Sequence, residues 1–224
     1  MKTLLKILTP IILLFCISCD ALKVEYKIDK SCSAPCWRGL HPGMSFDEVA
    51  ANVYKMKEFD VEEKTDVMGY SSIVLSTRSG EMNILNFSEH TLRSIVLAYK
   101  SSKMKLPLSE VINNYGAPDH VIVWYGGRPM NSIFGVLCYE KTGISINLDS
   151  FRVSKDTQNW DYTINDKTNV NNIIYDNPDP TAPSDSVNDC KKPLDIALKH
   201  EWIGYGNYQS CNPDTNKLCA PYME

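Results

Sequence analysis

The residue types that most often carry catalysis occur in this chain without the spacing that catalysis requires. The four histidines are His41, His90, His120 and His200. They form no His-x-x-x-His and no His-Glu-x-x-His pair of the kind that binds zinc. Asp119 directly precedes His120, but adjacent residues of a strand point to opposite faces. We therefore interpret His120 as a turn histidine, and we predict no catalytic residue, no metal ligand and no cofactor.

Three further patterns are incomplete versions of functional motifs. Cys32 and Cys36 are separated by three residues instead of the two of thioredoxin-like motifs, which favours a structural role. The run Gly126-Gly127-Arg128 is followed by no helix that would help to bind phosphate, so it predicts a hairpin turn. No Ser-x-x-Lys motif is followed by plausible partner residues, and no Gly-x-Ser-x-Gly elbow occurs.

The N-terminal segment has the pattern of an export signal. Two lysines precede an apolar run from Ile7 to Ile17, and this run is too short for a membrane-spanning helix. Residues 1–18 are thus predicted to be a signal peptide. The end of this segment, Ser18-Cys19, resembles the lipobox of bacterial lipoproteins, although Cys16 stands where Leu is usual. The resemblance implies that Cys19 is acylated, for example with palmitate, and anchors the protein to a membrane; plain secretion and an uncleaved anchor are the alternatives.

Composition and cysteine usage agree with an exported globular body. The formal net charge of −4 argues against a nucleic-acid partner. If Cys19 is lipidated, six cysteines remain outside the signal peptide, which favours disulfides. Cys138 lies in a strand-like run, and the sequence leaves open whether it is a buried free thiol. One arrangement joins Cys211 to Cys219 and joins Cys32 or Cys36 to Cys190, and the five disulfide candidates are Cys32, Cys36, Cys190, Cys211 and Cys219.

The elements that would position these residues follow one order twice. Ser45 and Glu48 form a capping box before an apolar stripe, which predicts a helix over 46–57. A second stripe starts at Leu108 and stops at Gly116. Each helix is followed by short, β-branched segments typical of antiparallel strands, namely 59–65, 70–77, 81–87 and 92–100, and then 120–125, 132–140 and 143–149. We therefore predict an α+β fold of two helix-plus-antiparallel-sheet units in tandem.

The predicted organisation divides the chain into a lipidated tether over 19–35, a first unit over 36–104 and a second unit over 105–176. Residues 177–224 are predicted to be a linker and a cysteine-containing C-terminal tail. The acidic residues near this linker lack the glycine spacing of a calcium loop: Asp176, Asp179, Asp185 and Asp189.

Two segments carry a resemblance to a known family. The turn-helix PGMSFDEV is one, and the run LSEVINNYGAPDHV with the following Tyr139, Gly143 and Ile144 is the other. Together they resemble the SmpA/OmlA, or BamE-like, lipoprotein domain. Two such units in tandem look like the β-lactamase inhibitor protein family, and the CWRGLHPGM opening is similar to that of uncharacterised bacterial lipoproteins. The resemblance implies helices packed against an antiparallel sheet over about residues 36–150.

These observations together predict a lipoprotein of the cell envelope, facing the extracytoplasmic side and acting as a non-catalytic binding or scaffolding module. Its expected contacts are membrane lipid through Cys19 and an envelope protein, with a partner surface at Trp124, Tyr125 and Met130. A second aromatic group lies near the C-terminus, at Trp202, Tyr205 and Tyr208. The alternatives are an envelope enzyme such as a cell-wall hydrolase, and a secreted inhibitor of an enzyme.

Overall fold

The computed structural model describes residues 28, 31–65, 70–78, 80–99, 105–126, 131–153, 161–178, 190 and 197–210. The predicted signal peptide and Cys19, and also Met130, Cys211, Cys219 and most of the predicted linker, lie outside the described residues. Within the described part of the chain, no helix is both long and apolar enough to cross a membrane.

Antiparallel strands form most of the body. The two α-helices among the described residues are α1 (Phe46–Val53) and α2 (Leu108–Tyr115), and a 3-10 helix spans Glu140–Thr142. The strands are β1 (Asp60–Thr65), β2 (Ser71–Ser76), β3 (Met82–Ser88), β4 (Thr91–Ala98), β5 (Leu106–Pro107), β6 (His120–Gly126), β7 (Ser132–Tyr139), β8 (Ile144–Leu148), β9 (Phe151–Arg152), β10 (Tyr162–Ile164), β11 (Asn169–Asp176), β12 (Ala197–Glu201) and β13 (Gly206–Tyr208).

Eleven of these strands form one sheet. Its order is β1-β2-β3-β4-β11-β8-β7-β6-β12, with β5 paired to β11 and β9 paired to β7, while β10 and β13 form a separate two-stranded sheet. The consecutive antiparallel strands predicted from the sequence form the two meanders of this sheet, and β11 joins them because it pairs with both β4 and β8.

The prediction of an α+β fold made of two tandem helix-plus-sheet units is wrong. Strands make up 51% of the described structure and helices 13%, and a single eleven-stranded sheet runs through the body. Residues assigned to both predicted units contribute strands to this sheet, since β4 and β11 pair over five residues from Ser94 to Ala98. The local helix signals do mark helices, each of eight residues, and both helices pack on the same continuous sheet.

The main core lies between the sheet and the two helices. Val49 and Val53 of α1 and Leu108 and Val111 of α2 are fully buried and belong to the same apolar cluster. The sheet contributes to this cluster one side of its strands, which we name the core face: Ile73, Leu75, Leu85, Phe87, Ile95, Leu97, Val121, Val123, Ile133, Leu137, Ile144, Ile146, Ile173 and Tyr175. Residues on one side of a strand alternate with residues on the other, so a second face remains.

The small sheet also contributes to the core face. Tyr162 in β10 is buried, stacks on Phe151 at 5.7 Å and donates a hydrogen bond to the Asp149 carbonyl. Its ring lies directly over Gly135, where a Cβ would come within 2.6 Å of the Tyr162 Cε1 atom. Gly135 therefore leaves the space that the Tyr162 ring occupies over β7.

Two disulfides join the four cysteines that the structure describes outside the predicted signal segment, and they differ from the arrangement favoured by the sequence. Cys32 pairs with Cys36, and Cys138 pairs with Cys190 across 52 residues. Cys138 is therefore not a free thiol, and the predicted bond from Cys32 or Cys36 to Cys190 is wrong. The strand-like run did indicate that Cys138 lies in a strand interior, but it could not show that residue 190 reaches that strand.

Candidate functional site: the open face of the sheet

The side of the sheet opposite the core face carries a straight row of aliphatic residues. Val74 stands opposite Ile84, and Ile84 stands opposite Val96, which in turn stands opposite Ile174. We name this side the open face, because both α-helices of the described chain place their buried residues in the core-face cluster.

Exposure along this row changes from one end to the other. Ile174 and Val96 are buried, whereas Val74 and Ile84 are only half-buried, and the neighbouring Met82 is 46% exposed. None of these five side chains belongs to either apolar core cluster of the described residues. The part of the open face over β2 and β3 is thus an apolar surface in contact with water.

Small polar side chains border this apolar row. Ser72 and Ser76 flank Val74 on β2, and Asn86 Nδ2 donates a 3.0 Å hydrogen bond to Ser94 Oγ across the strands. These short groups leave the aliphatic side chains as the most prominent apolar groups on this surface. A flat apolar centre with a polar border is the usual anatomy of a protein contact surface.

The same row continues into a covered part of the open face. Ile174 stands opposite Ser145, Ser145 opposite Cys138 and Cys138 opposite His120. The Cys138–Cys190 disulfide attaches residue 190 to this side, where Cys190 and Ala197 pack against the small cluster of Ile122, Val136 and Cys138.

His120 lies near the end of the row, and its surroundings favour the neutral imidazole. Its Nδ1 atom is 3.5 Å from Glu140 Oε1, and Lys199 Nζ is 3.0 Å from the same oxygen. Burial and then the nearby Lys199 lower the pKa of His120, while Glu140 and Asp119 act in the opposite direction. The interpretation of His120 as a turn residue is wrong: it is the first residue of β6 and is buried.

The acid–base partner suggested by the sequence is engaged elsewhere. Asp119 Oδ2 accepts a 2.8 Å hydrogen bond from the Glu140 backbone N–H, so it caps the 3-10 helix. His120 Nε2 and Ser145 Oγ are buried without a hydrogen-bond partner, but two strand spacings separate their positions, about 9.5 Å. Cys138 lies between them in its disulfide, so no serine–histidine contact forms at this place.

Two residues of the predicted partner surface, Trp124 and Tyr125, lie on opposite faces of β6. Trp124 lies on the open face and stacks on Phe134 with ring centroids 5.3 Å apart. Tyr125 lies on the core face, where its hydroxyl donates to Asn131 Oδ1 at 2.9 Å. Adjacent strand residues point to opposite sides, a rule that the prediction applied to Asp119 and His120 but not to this pair.

The aromatic residues near the C-terminus do come together. Trp202 stacks on the buried Tyr208 at 6.0 Å and meets Tyr205 edge-on at 6.2 Å. The Tyr208 hydroxyl accepts from the Ile203 N–H at 3.2 Å and donates to the Gly204 carbonyl at 2.6 Å, which fixes the turn. Ile203 and Tyr205 are exposed in this turn, whereas Trp202 is half-buried and packs against the main core.

The remaining histidines make local contacts. His41 Nδ1 lies 3.0 Å from the Pro42 carbonyl oxygen, and His200 Nε2 lies 2.8 Å from that of Gln209. His90 has a positive φ of 60° in the β3–β4 turn. Among the described residues, no group of three or more His, Cys, Asp or Glu side chains is arranged to hold a metal ion.

A shallow depression lies beside the C-terminal end of α1. It is lined by charged side chains of both signs together with one threonine: Lys57, Glu58, Asp60, Thr77 and Arg78. A hydrogen bond from its own backbone, and then an ion pair with Arg38, lower the pKa of Glu58. Arg38 also lies over the Trp37 ring. The exposed charged side chains of this depression offer no buried polar group to orient a substrate.

Comparisons of the chain with family models, curated proteins and solved structures find no match. The resemblance to BamE-like domains therefore stays a prediction made from sequence motifs. The sequence analysis did not identify the apolar row of the open face, although the consecutive apolar residues Ile73-Val74-Leu75 and Ile84-Leu85 place apolar side chains on both faces of β2 and β3 and were a usable signal.

Proposed function

We propose that this protein is an exported lipoprotein, anchored through Cys19, whose folded body binds another envelope protein through the open face instead of catalysing a reaction. The observation that carries the proposal is the partly exposed pair Val74 and Ile84, extended by the exposed Met82, on a side of the sheet to which the two described helices do not pack.

The disulfides support the exported location. Cys138–Cys190 and Cys32–Cys36 are bonds of a kind that persists in oxidising compartments and is rare in the cytosol. An exported chain with a cysteine at the end of its apolar signal segment has a residue that can carry the lipid.

The exposed apolar row supports binding. Soluble proteins rarely keep a contiguous apolar patch in water without a use for it, and a row that crosses several strands presents a flat, rigid surface. The backbone of β2 and β3 is paired on both sides, so the surface needs little ordering when a partner arrives.

The polar residues support a non-catalytic role. His120 has a carboxylate neighbour in Glu140, but Glu140 is shared with Lys199, and the row position next to His120 is occupied by a disulfide-bonded cysteine. A general base needs a reacting group within hydrogen-bond distance, and Ser145 is two strands away.

The binding proposal is tested by photocrosslinking in intact envelopes. Ile84→Lys places a charge in the middle of the row, and we expect it to abolish the crosslinked partner obtained with the unmodified chain. Glu62→Lys is the matched control, because Glu62 stands opposite Val74 in the same row but on the charged, exposed edge strand β1. Both variants should keep their disulfides and melting temperature.

Equal recovery of the partner by Ile84→Lys and by the unmodified chain would contradict binding through the open face. A partner that Glu62→Lys loses and Ile84→Lys retains would also contradict it.

Anchoring is tested separately. Cys19→Ala, or inhibition of the lipoprotein signal peptidase with globomycin, should leave an unprocessed or unlipidated precursor. A mature, soluble product in either case would show that the chain is merely secreted.

A further inference from the structure

The eleven-stranded sheet ends in two edge strands of different character. In the part of the chain that the structure describes, β1 forms one edge and β12 the other. Four of the six residues of β1 are charged, three of them acidic, which is a common protection against strand pairing between molecules: Asp60, Glu62, Glu63 and Lys64. β12, with the sequence ALKHE, has one lysine and one glutamate and begins with two apolar residues.

The faces of β12 follow from its register with β6. Lys199 stands opposite Ile122 and Glu201 opposite His120, so both charges lie on the open face. Leu198 stands opposite Val123 and therefore lies on the core face. Two residues beyond the strand, Ile203 is 74% exposed, which is the largest exposed fraction among the described large apolar residues.

Pairing of β12 with a second copy of itself has a restricted set of registers. The two-fold axis of such an antiparallel pair is perpendicular to the sheet, so core-face residues stay on the core face and open-face residues on the open face. The axis must then pass beside one residue of β12, and each residue faces a residue of the second copy that lies on the same side of the sheet. An axis at Lys199 sets Lys199 against Lys199 of the second copy, and an axis at Glu201 sets the two Glu201 carboxylates together. Both arrangements bring like charges into contact.

An axis at His200 avoids contacts between like charges and sets opposite charges, or two apolar residues, against each other on both sides of the axis. Lys199 then faces Glu201 of the second copy, and the symmetry repeats this ion pair on the other side of the axis. Continuing outward, Leu198 faces Trp202 of the second copy, and Ala197 faces its Ile203. The charges and the apolar residues are thus self-complementary in one register.

We propose that β12 pairs antiparallel with β12 of a second copy of this chain, with the two-fold axis at His200, Lys199 facing Glu201 and the exposed Ile203 covering Ala197. The pairing extends the sheet across two molecules and gives the backbone groups of the edge a partner. The proposal is separate from partner binding through the open face, because it uses the edge beyond β6 and not the row over β2 and β3.

Lys199 also has an intramolecular partner, Glu140, at 3.0 Å. The lysine is 60% exposed at its side chain, so its ammonium group, with three donors, is available to a second carboxylate as well. The pair of charges that meets across the axis therefore adds to an existing ion pair instead of replacing it.

The test measures mass in solution by sedimentation equilibrium and light scattering. It uses the full exported chain with Cys19→Ser, so that no detergent is present. We expect twice the monomer mass. Lys199→Glu and Glu201→Lys should each be monomeric when alone. Mixing the two variants should restore a dimer containing one of each, because the carboxylate introduced at position 199 of one copy then faces the ammonium group introduced at position 201 of the other.

The mixing experiment separates pairing from damage to the fold, since a misfolded variant would not be rescued by its counterpart. Ile203→Arg provides a second measurement: the Ile203 side chain is mostly in water, so the variant should weaken association without a change in the melting temperature of the monomer. Lys64→Glu, on the opposite edge, is the control and should stay dimeric. A monomeric unmodified chain, or single variants that dimerise as well as it does, would overturn the proposal.

Discussion

Gly143 is the backbone position at which a single methyl group should do the most damage. It ends the 3-10 helix with φ 65°, in the left-handed region, and connects β7 to β8. A Cβ at this position would overlap the Asp176 carbonyl oxygen and come within 3.0 Å of the Pro178 nitrogen. That oxygen has little freedom to retreat, because the Asp176 N–H donates a 2.8 Å hydrogen bond to the Gly143 carbonyl.

Gly143→Ala should therefore lower the free energy of unfolding in two ways. The left-handed conformation costs alanine about 1–2 kcal/mol, and forcing a methyl group into packed backbone costs about 1–3 kcal/mol. Their sum is about 3 kcal/mol, and a domain of this size loses about 3 °C of melting temperature per kcal/mol, which gives a decrease of about 10 °C.

Gly80→Ala is the matched control. Gly80 has a φ of 90° in the β2–β3 turn, but a Cβ there would find nothing within 4 Å. It should show only the conformational cost of about 1–2 kcal/mol, or about 4 °C. Both variants are compared with the unmodified chain by differential scanning calorimetry under oxidising conditions. Equal melting temperatures for the two variants would refute the role assigned to the Asp176 carbonyl.

Two further predictions concern the covered half of the open face. Replacing Cys138 and Cys190 together by alanine should lower the free energy of unfolding by about 4 kcal/mol, and the same change at Cys32 and Cys36 should lower it by about 2 kcal/mol, because the first bond closes a much longer loop. Denaturant titration measures both losses. A larger loss for the Cys32 and Cys36 variant would contradict this loop-length argument. Because burial lowers the pKa of His120, the unfolded chain binds a proton that the folded chain rejects as the pH falls below about 6.5. The contribution of His120 to the free energy of unfolding should thus be constant above that pH and decrease below it. His120→Gln should make the free energy of unfolding less dependent on pH in the acidic range, whereas the control His41→Gln, at an exposed residue, should leave that dependence unchanged.

Local signals in the sequence predicted local structure well. The Ser45–Glu48 capping box is present in full, with the Glu48 carboxylate accepting from the Ser45 N–H at 3.0 Å. The helix it starts ends at Val53, earlier than the predicted 57, because the chain turns at Tyr54. Gly116 ends α2 with a φ of 78°, as its position after an apolar stripe indicated. Each of these features depends on residues within a few positions of one another.

Pairings between distant segments could not be predicted in the same way. β11 lies between β4 and β8, yet its sequence only shows that it is a strand and does not show which strands it joins. The segment before Cys190 and β12 has no strand pattern. The sequence therefore contained no local signal for the Cys138–Cys190 bond or for the pairing of β12 with β6. A repeated order of helix and strands was therefore compatible with separate units and with one continuous sheet, and only the partners of β11 distinguish the two.

The motif that suggested a family has a physical explanation that does not depend on function. Tyr139 ends β7 and donates a 2.9 Å hydrogen bond to the Gly116 carbonyl, which ties the end of α2 to the sheet. Gly143 supplies the left-handed turn, and Ile144 starts β8 on the core face. These three residues therefore attach a short helix to the β7–β8 hairpin and shape its turn, which are structural roles. Such a motif predicts how a helix is attached to a sheet, whereas the binding that we propose uses the side chains of the opposite, open face, which the motif does not include.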